Sequence, residues 1–321
     1  GADIITASAG TSNFRAGVNA GNSIASGGNY NVVVGDEAGT ALTTGDGNVA
    51  VGFEALTTED ANGNNVAVGY RALKVQNAGA EAYNVAVGVD AGLGLTTATS
   101  STLIGAFAGG GGTLSGANNT AIGRNAGYTL TSGTQNVLIG GLAGDALTDS
   151  DYNVAVGYNA LTSDTLGSYS TAIGRNALYS QNFTSATASH NTALGYAAGE
   201  GITTGVQNTL LGSGAGDALT TGVQNVAVGY NALSTEDGHG GNVAVGVSAL
   251  STLNAGVDGY NTAVGHVAGT AVTTGVSNVA VGANALDANT TASYNTAVGE
   301  AALGANTTGA SNVAIGQASS T

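Results

Sequence analysis

The sequence contains no cysteine, proline, methionine or tryptophan, and only 8% of its 321 residues are charged. Without cysteine the chain forms no disulfide bridge and has no thiol chemistry. Basic residues are scarce as well: five lysines and arginines stand against twenty acids, which gives a formal net charge of −15. A surface of this sign repels a phosphate backbone, so we expect no nucleic acid partner.

Long apolar runs are also missing. None approaches the roughly 18 residues that a membrane-spanning helix requires, so we expect no membrane insertion by this segment. Glycine is abundant at 55 residues, a composition often found in disordered chains. Hydrophobic residues nevertheless make up 42% of the chain, and their regular spacing predicts an ordered fold. Because the composition is uniform, we predict one repeat domain, 13–321, after an N-terminal lead-in segment, 1–12.

The chain is a tandem repeat whose unit is clearest from Asn225 to Leu233, where it reads NVAVGYNAL. Counted from that Asn as position zero, eighteen units begin at residues 13, 31, 48, 65, 84, 101, 119, 136, 153, 170, 191, 208, 225, 242, 261, 278, 295 and 312. Twelve of the seventeen spacings are 17 residues. This period is too short for a helical hairpin and fits one turn of a parallel β-solenoid.

Three positions define the unit: Asn at zero, Gly at four and Ala at seven. In four clear units they are Asn48, Gly52, Ala55, Asn153, Gly157, Ala160, Asn225, Gly229, Ala232, Asn278, Gly282 and Ala285. β-Branched residues at positions one and three favour a strand, and the glycine allows the chain to turn. We expect the stacked asparagines to form a ladder of side-chain amides. The predicted fold class is all-β: a parallel β-solenoid, or β-roll, of about eighteen 17-residue coils.

Both faces of the predicted strand are apolar. Positions one and three carry mostly Val, Thr, Ile or Leu, and position two is mostly Ala. A strand with one solvated face should instead alternate apolar and polar residues. We therefore expect the β-branched face to fill the coil and the alanine face to pack against another chain. A thin core of this kind also predicts an obligate, parallel homo-oligomer.

The motif Asn-Val-Ala-Val-Gly-x-x-Ala, as it stands at 48–55, 153–160, 225–232 and 278–285, resembles the head repeats of trimeric autotransporter adhesins. It is equally similar to related repeat arrays in bacteriophage tail fibres. The resemblance covers residues 13 to about 320. It implies a left-handed β-roll assembled as a parallel homotrimer, although adhesin-head coils are usually shorter than these.

The resemblance also implies a function. We expect a structural fibre or shaft protein of a bacteriophage tail fibre that mediates host attachment. The alternative is a bacterial cell-surface trimeric adhesin head or an extracellular filament subunit. The expected partners are further copies of the chain and a host cell-surface receptor, for which a glycan is one candidate. The expected location is the virion tail or the extracellular surface of a cell.

We predict no catalytic site and no cofactor, and therefore not an enzyme. The three histidines, His190, His239 and His266, are far apart in the sequence and have no metal-ligand spacing. The acids, Glu59 among them, fall mainly in predicted turns and closing loops. We interpret them as solvated residues.

Two acidic loops are weak candidates for calcium. One contains Glu236 and Asp237, and the other contains Asp145, Asp149 and Asp151. Calcium takes several oxygen ligands that converge on one point, and loops of adjacent coils could supply them. The simpler interpretation is a solubilising loop, which needs no metal.

Tyrosine recurs at the position after the glycine, at Tyr70, Tyr158, Tyr196 and Tyr230. Two hypotheses account for these rings: stacking between coils, or a platform for sugar rings. The longest unit carries extra residues between 178 and 191, and a loop of this kind on a rigid scaffold is a candidate recognition surface. We interpret the four glycines at 109–112 as a slack turn.

Overall fold

The computed structural model describes residues 9–319, and this range is all-β, without a helix. The chain divides into two compact units, residues 1–153 and 154–321, and each is a parallel β-solenoid. The predicted fold class is therefore confirmed. The division into a lead-in segment and one repeat domain stays a prediction, and residues 1–8, 320 and 321 lie outside the described range. Within that range no helix could cross a membrane.

In the first unit each coil contributes one strand of three residues. The strands are β1 Phe14–Ala16, β2 Val32–Val34, β3 Val49–Val51, β4 Val66–Val68, β5 Val85–Val87, β6 Thr102–Ile104, β7 Thr120–Ile122 and β8 Val137–Ile139. Successive strands pair in parallel and in register, so each repeat position contacts its equivalent in the next coil.

The second unit repeats the arrangement with ten such strands and two shorter ones. They are β9 Val154–Val156, β10 Gly167–Ser168, β11 Thr171–Ile173, β12 Thr187–Ala188, β13 Thr192–Leu194, β14 Thr209–Leu211, β15 Val226–Val228, β16 Val243–Val245, β17 Thr262–Val264, β18 Val279–Val281, β19 Thr296–Val298 and β20 Val313–Ile315. Strands β10 and β12 pair with each other. The insertion at 178–191 thus carries a strand of its own rather than an irregular loop.

Each coil before residue 312 turns because at least four of its backbone positions take a positive φ. In the coil that begins at Asn225, the glycine at position four, Gly229, has a φ of 137°. Only glycine adopts this conformation readily. A side-chain carbon at Gly229 would also overlap the carbonyl group of Gly246 in the next coil. The invariant glycine is therefore required both by its own backbone and by the stacking of coils.

The alanine face of the strand lines the interior of the coil. The middle residue of every three-residue strand from β2 to β20 is buried, whereas the first and third residues never are. Our assignment of the two faces from the sequence is therefore wrong, because the β-branched face points outward. The reason is volume: the narrow interior also holds the alanine at position seven and a leucine, such as Leu56, and both are fully buried.

That interior leucine comes from one of two positions. In what we call leucine coils it is at position eight, as Leu56 is. In glycine coils position eight is Gly and the large residue follows in the closing loop, as with Gly127 and Leu130. A side-chain carbon at Gly127 would lie 2.8 Å from Leu130 Cδ1 and from Leu138 Cδ1 of the next coil. Glycine at this position makes room for both leucines.

Candidate functional site

The repeated asparagines form a ladder of hydrogen bonds, which runs from Asn13 to Asn153 through Ser101 in the first compact unit and from Asn191 to Asn312 in the second. Asn225 is typical: its Oδ1 accepts the backbone N–H of Asn242 in the next coil at 3.0 Å. Its Nδ2 donates to the carbonyl of His239, in the closing loop of its own coil, at 3.0 Å. Asn225 is fully buried, so the amide closes one coil and ties it to the next. We find a structural role for it and no accessible reactive group.

The other residues that define the repeat occupy equivalent places. Asn48, Asn153 and Asn278 are buried with Asn225, as are the alanines Ala55, Ala160, Ala232 and Ala285. The glycines Gly52, Gly157, Gly229 and Gly282 have φ between 134° and 140°. This set specifies the fold of the coil.

One acidic loop brings three potential ligand atoms together. Ligand atoms of Glu236, Asp237 and His239 lie within 4.8 Å of one another. Glu236 is fully buried, and His239 Nδ1 lies 3.3 Å from its Oε1. An imidazole nitrogen beside two carboxylates differs from the all-oxygen shell that calcium prefers. The calcium hypothesis for Glu236 and Asp237 stays a prediction.

The second acidic loop is arranged differently. Within residues 9–319, Asp145, Asp149 and Asp151 form no such group. Asp149 Oδ1 accepts the hydroxyl of Ser132 at 2.7 Å, and Asp151 Oδ1 accepts the N–H of Thr134 at 2.6 Å. These two carboxylates therefore contribute hydrogen bonds to the neighbouring coil.

Several acids that we interpreted as solvated are buried. Glu59, Asp164 and Glu236 all occupy position eleven of a leucine coil and are fully buried. Gln181 Nε2 donates to Asp164 Oδ2 at 2.6 Å, and Gln76 Nε2 donates to Glu59 Oε2 at 3.1 Å. Burial raises the pKa of Asp164 above its ordinary value, although the hydrogen bond from Gln181 opposes the shift. The sequence did contain a signal, because glycine coils usually carry leucine at position eleven.

The outward side chains of the strands form an extended surface in each compact unit. Positions one and three supply two residues from each of the eighteen coils, and none of them is charged. Many are exposed large hydrophobic residues: Val32, Val87, Ile104, Ile139, Leu194, Leu211, Val264, Val313 and Ile315. In-register pairing within each unit places them in columns with neighbours about 4.8 Å apart. Extended uncharged apolar surfaces are typical of interaction sites.

The tyrosines after the glycine are exposed, and one of them, Tyr70, stacks on another ring. Tyr70 lies on Phe53 of the preceding coil with ring centroids 5.4 Å apart, and the guanidinium of Arg71 lies 5.0 Å from the centroid of the Tyr70 ring. Arg71 is also paired with Asp90 at 2.7 Å. Stacking between coils therefore accounts for this ring.

The four glycines at 109–112 do not form a slack turn. Gly109 and Gly110 are buried. A side-chain carbon at Gly110 would lie 2.5 Å from the carbonyl oxygen of Asp90, and one at Gly111 would overlap the ring of Tyr128. The segment is closely packed, and the Tyr128 ring lies against Gly111.

A comparison of the chain with protein-family models and with curated proteins found no match.

Proposed function

We propose that this chain is the structural shaft of a bacteriophage tail fibre, that it assembles as a parallel homotrimer, and that it mediates attachment to a host cell-surface receptor. The observation that carries the proposal is the outward face of the strands. Burial of this uncharged face against identical faces would remove its exposed valine, isoleucine and leucine side chains from water, which is favourable. The motif at 48–55 and its repeats supports the relation to tail fibres.

Parallel association of identical chains suits the repeat. Each coil presents two uncharged outward side chains, such as Val226 and Val228, and successive strands pair in register. Three chains in register would bring like residues together at every coil, without a charged residue to desolvate. A cyclic arrangement of this kind closes on itself.

We propose a non-enzymatic role. Asn225 and Gln181, two of the buried polar side chains, are used in hydrogen bonds between coils. Stacking of the coils therefore accounts for the repeated asparagine. A shaft of this kind works by position and rigidity, and acts outside the cell or on the virion tail.

Immunogold electron microscopy of a producing culture tests the proposal, with antibody raised against residues 13–321. Gold on the tail appendages of virions is the expected result. Gold on cell surfaces or free filaments, with bare virions, would contradict the phage proposal. That outcome would favour a bacterial trimeric adhesin head or filament subunit, to which the same motif is similar.

A further inference from the structure

A shallow cavity, which we call the aromatic dish, lies in the first compact unit. It is a cavity of about 230 Å³ lined by Phe107, Arg124, Asn125 and Tyr128. These residues come from two adjacent coils and lie in the turns that follow β6 and β7. We define the dish by these four residues.

The two rings form an angled wall. Phe107 and Tyr128 meet edge to face, with centroids 6.4 Å apart and planes at 79°. Tyr128 is 38% exposed, and Gly111 beneath it leaves room for the ring. Part of its apolar surface is therefore available to a ligand.

Arg124 is the exposed cation of the dish. Arg71 is paired with Asp90, and Arg175 lies over the ring of Tyr196, 5.6 Å from its centroid. Arg124 forms no ion pair among residues 9–319. The residues at its position in the preceding and following coils are small, Ala106 and Gly141, so the guanidinium has space around it.

The side chains that line the dish determine which class of ligand it can bind. A guanidinium binds a carboxylate through two parallel hydrogen bonds. Asn125 supplies an amide that both donates and accepts hydrogen bonds, which suits hydroxyl groups. The rings supply a surface for the C–H face of a sugar. The cavity is smaller than the roughly 300–1,000 Å³ of pockets for drug-sized ligands, so it fits a single ring.

We propose that the dish binds one carboxylated sugar, with the carboxylate on Arg124, hydroxyls on Asn125 and the sugar ring against Tyr128 and Phe107. The inference rests on the proposed attachment function, for which it names a receptor chemistry: an acidic glycan.

Saturation-transfer NMR and titration of the full-length, assembled protein test the inference. The probes are glucuronate, galacturonate and N-acetylneuraminate, with glucose as a neutral control and inorganic phosphate as an anion without a ring. At least one acidic sugar should bind, and Arg124→Gln should lower its affinity by about tenfold or more, since a hydrogen bond to a charged group is lost. Glucose and phosphate should bind more weakly than that sugar.

Arg175→Gln is the matched control, because Arg175 occupies the same coil position and already lies on Tyr196. It should leave the affinity unchanged, whereas Tyr128→Ala should lower it. Unchanged thermal melting of Arg124→Gln would show that the variant is folded.

Three outcomes would overturn the inference: no binding of any acidic sugar, equal binding of phosphate or glucose, or binding that survives Arg124→Gln. If one of these occurred while gold still labelled virion tails, the sugar site would be wrong and the fibre proposal would stand. Gold on cells together with Arg124-dependent sugar binding would contradict the phage fibre proposal and leave the sugar site standing.

Discussion

In the glycine coil that begins at Asn119, Leu130 fills the interior and Gly127 leaves room for it. In the leucine coil that begins at Asn48, the interior leucine is Leu56, and position eleven holds the buried Glu59. The same interior volume is thus filled from two different places on the coil. In the leucine coils position eleven becomes free for a polar residue, which then has to be satisfied by hydrogen bonds.

In the glycine coils the residue in the middle of the strand varies in size. The residues larger than alanine in the middle of a strand, apart from Arg15, are Val33, Leu103, Leu138 and Leu210. Each stands in a glycine coil that follows another glycine coil. The contacts explain why: side-chain carbons at Gly127 and Gly144 would lie 2.8 and 2.7 Å from Leu138. The interior side-chain volume is therefore balanced across neighbouring coils as well as within one coil.

The largest expected effect is the loss of the interior leucine in either class. Leu56→Ala in a leucine coil and Leu130→Ala in a glycine coil should each lower the free energy of unfolding by about 2–5 kcal/mol, because both leave a cavity. Urea denaturation followed by circular dichroism measures the change. A cost near zero for one of the two would show that its leucine does not carry the core of that coil.

Conversion of a glycine coil into a leucine coil tests directly whether interior volume is balanced across neighbouring coils. Gly127→Leu overpacks the interior against Leu130 and Leu138 and should cost about 1–3 kcal/mol of stability. Leucine coils are followed by a coil with alanine in the middle of its strand, so Leu138→Ala should partly rescue Gly127→Leu. The double variant should therefore be more stable than the sum of the single effects predicts. Strict additivity would contradict this balance.

Removing a buried hydrogen bond tests the leucine class. Asp164 Oδ1 accepts the N–H groups of Gly167 and Phe183, both at 3.1 Å, and Oδ2 accepts from Gln181. Gln181→Leu copies Leu253, which occupies the same position in another leucine coil. The variant should lose about 1–3 kcal/mol in urea denaturation, because a buried acceptor loses its donor. A gain in stability would show that leucine at this position stabilises the coil more than the hydrogen bond from Gln181 does.

The smallest effect is a dependence on pH. Burial raises the pKa of Asp164 above its ordinary value, so the folded chain holds this proton more tightly than the unfolded chain does. Its contribution favours folding below the unfolded pKa of about 3.9 and is lost as the pH rises through the folded pKa. Asp217, in a glycine coil, is less deeply buried, and its pKa is also raised, mainly by desolvation.

We expect Asp164 to contribute more than Asp217 to the pH dependence of stability. Melting temperatures of Asp164→Asn and Asp217→Asn between pH 3 and pH 7 check this expectation. Relative to the unsubstituted protein, Asp164→Asn should gain more stability than Asp217→Asn as the pH rises. Parallel curves for all three proteins would contradict the assigned pKa directions.

The sequence was sufficient for the repeat, the strand positions and the turning glycine, because each is encoded within one coil. Gly229, for example, is required by its own backbone conformation. Glu59 was misread because its burial depends on the class of coil, although comparison with Leu42 at the same position would have revealed it.

The orientation of the strand could not be predicted in the same way. Both faces of β15, Val226–Val228, are apolar, so periodicity alone does not distinguish inside from outside. The choice depends on how much volume Leu233 and its neighbours leave inside the coil. The dish around Arg124 was missed for a similar reason, because its rings come from two coils and depend on Gly111 in the closing loop.

The outward β-branched face is the proposed surface between chains, and sedimentation equilibrium of the purified protein at micromolar concentration tests this role directly. We predict a single folded species of about three times the 30.6 kDa of one chain. A folded species of 30.6 kDa that persists across the concentration range would contradict the account, because the uncharged face would then be stable in water without a partner.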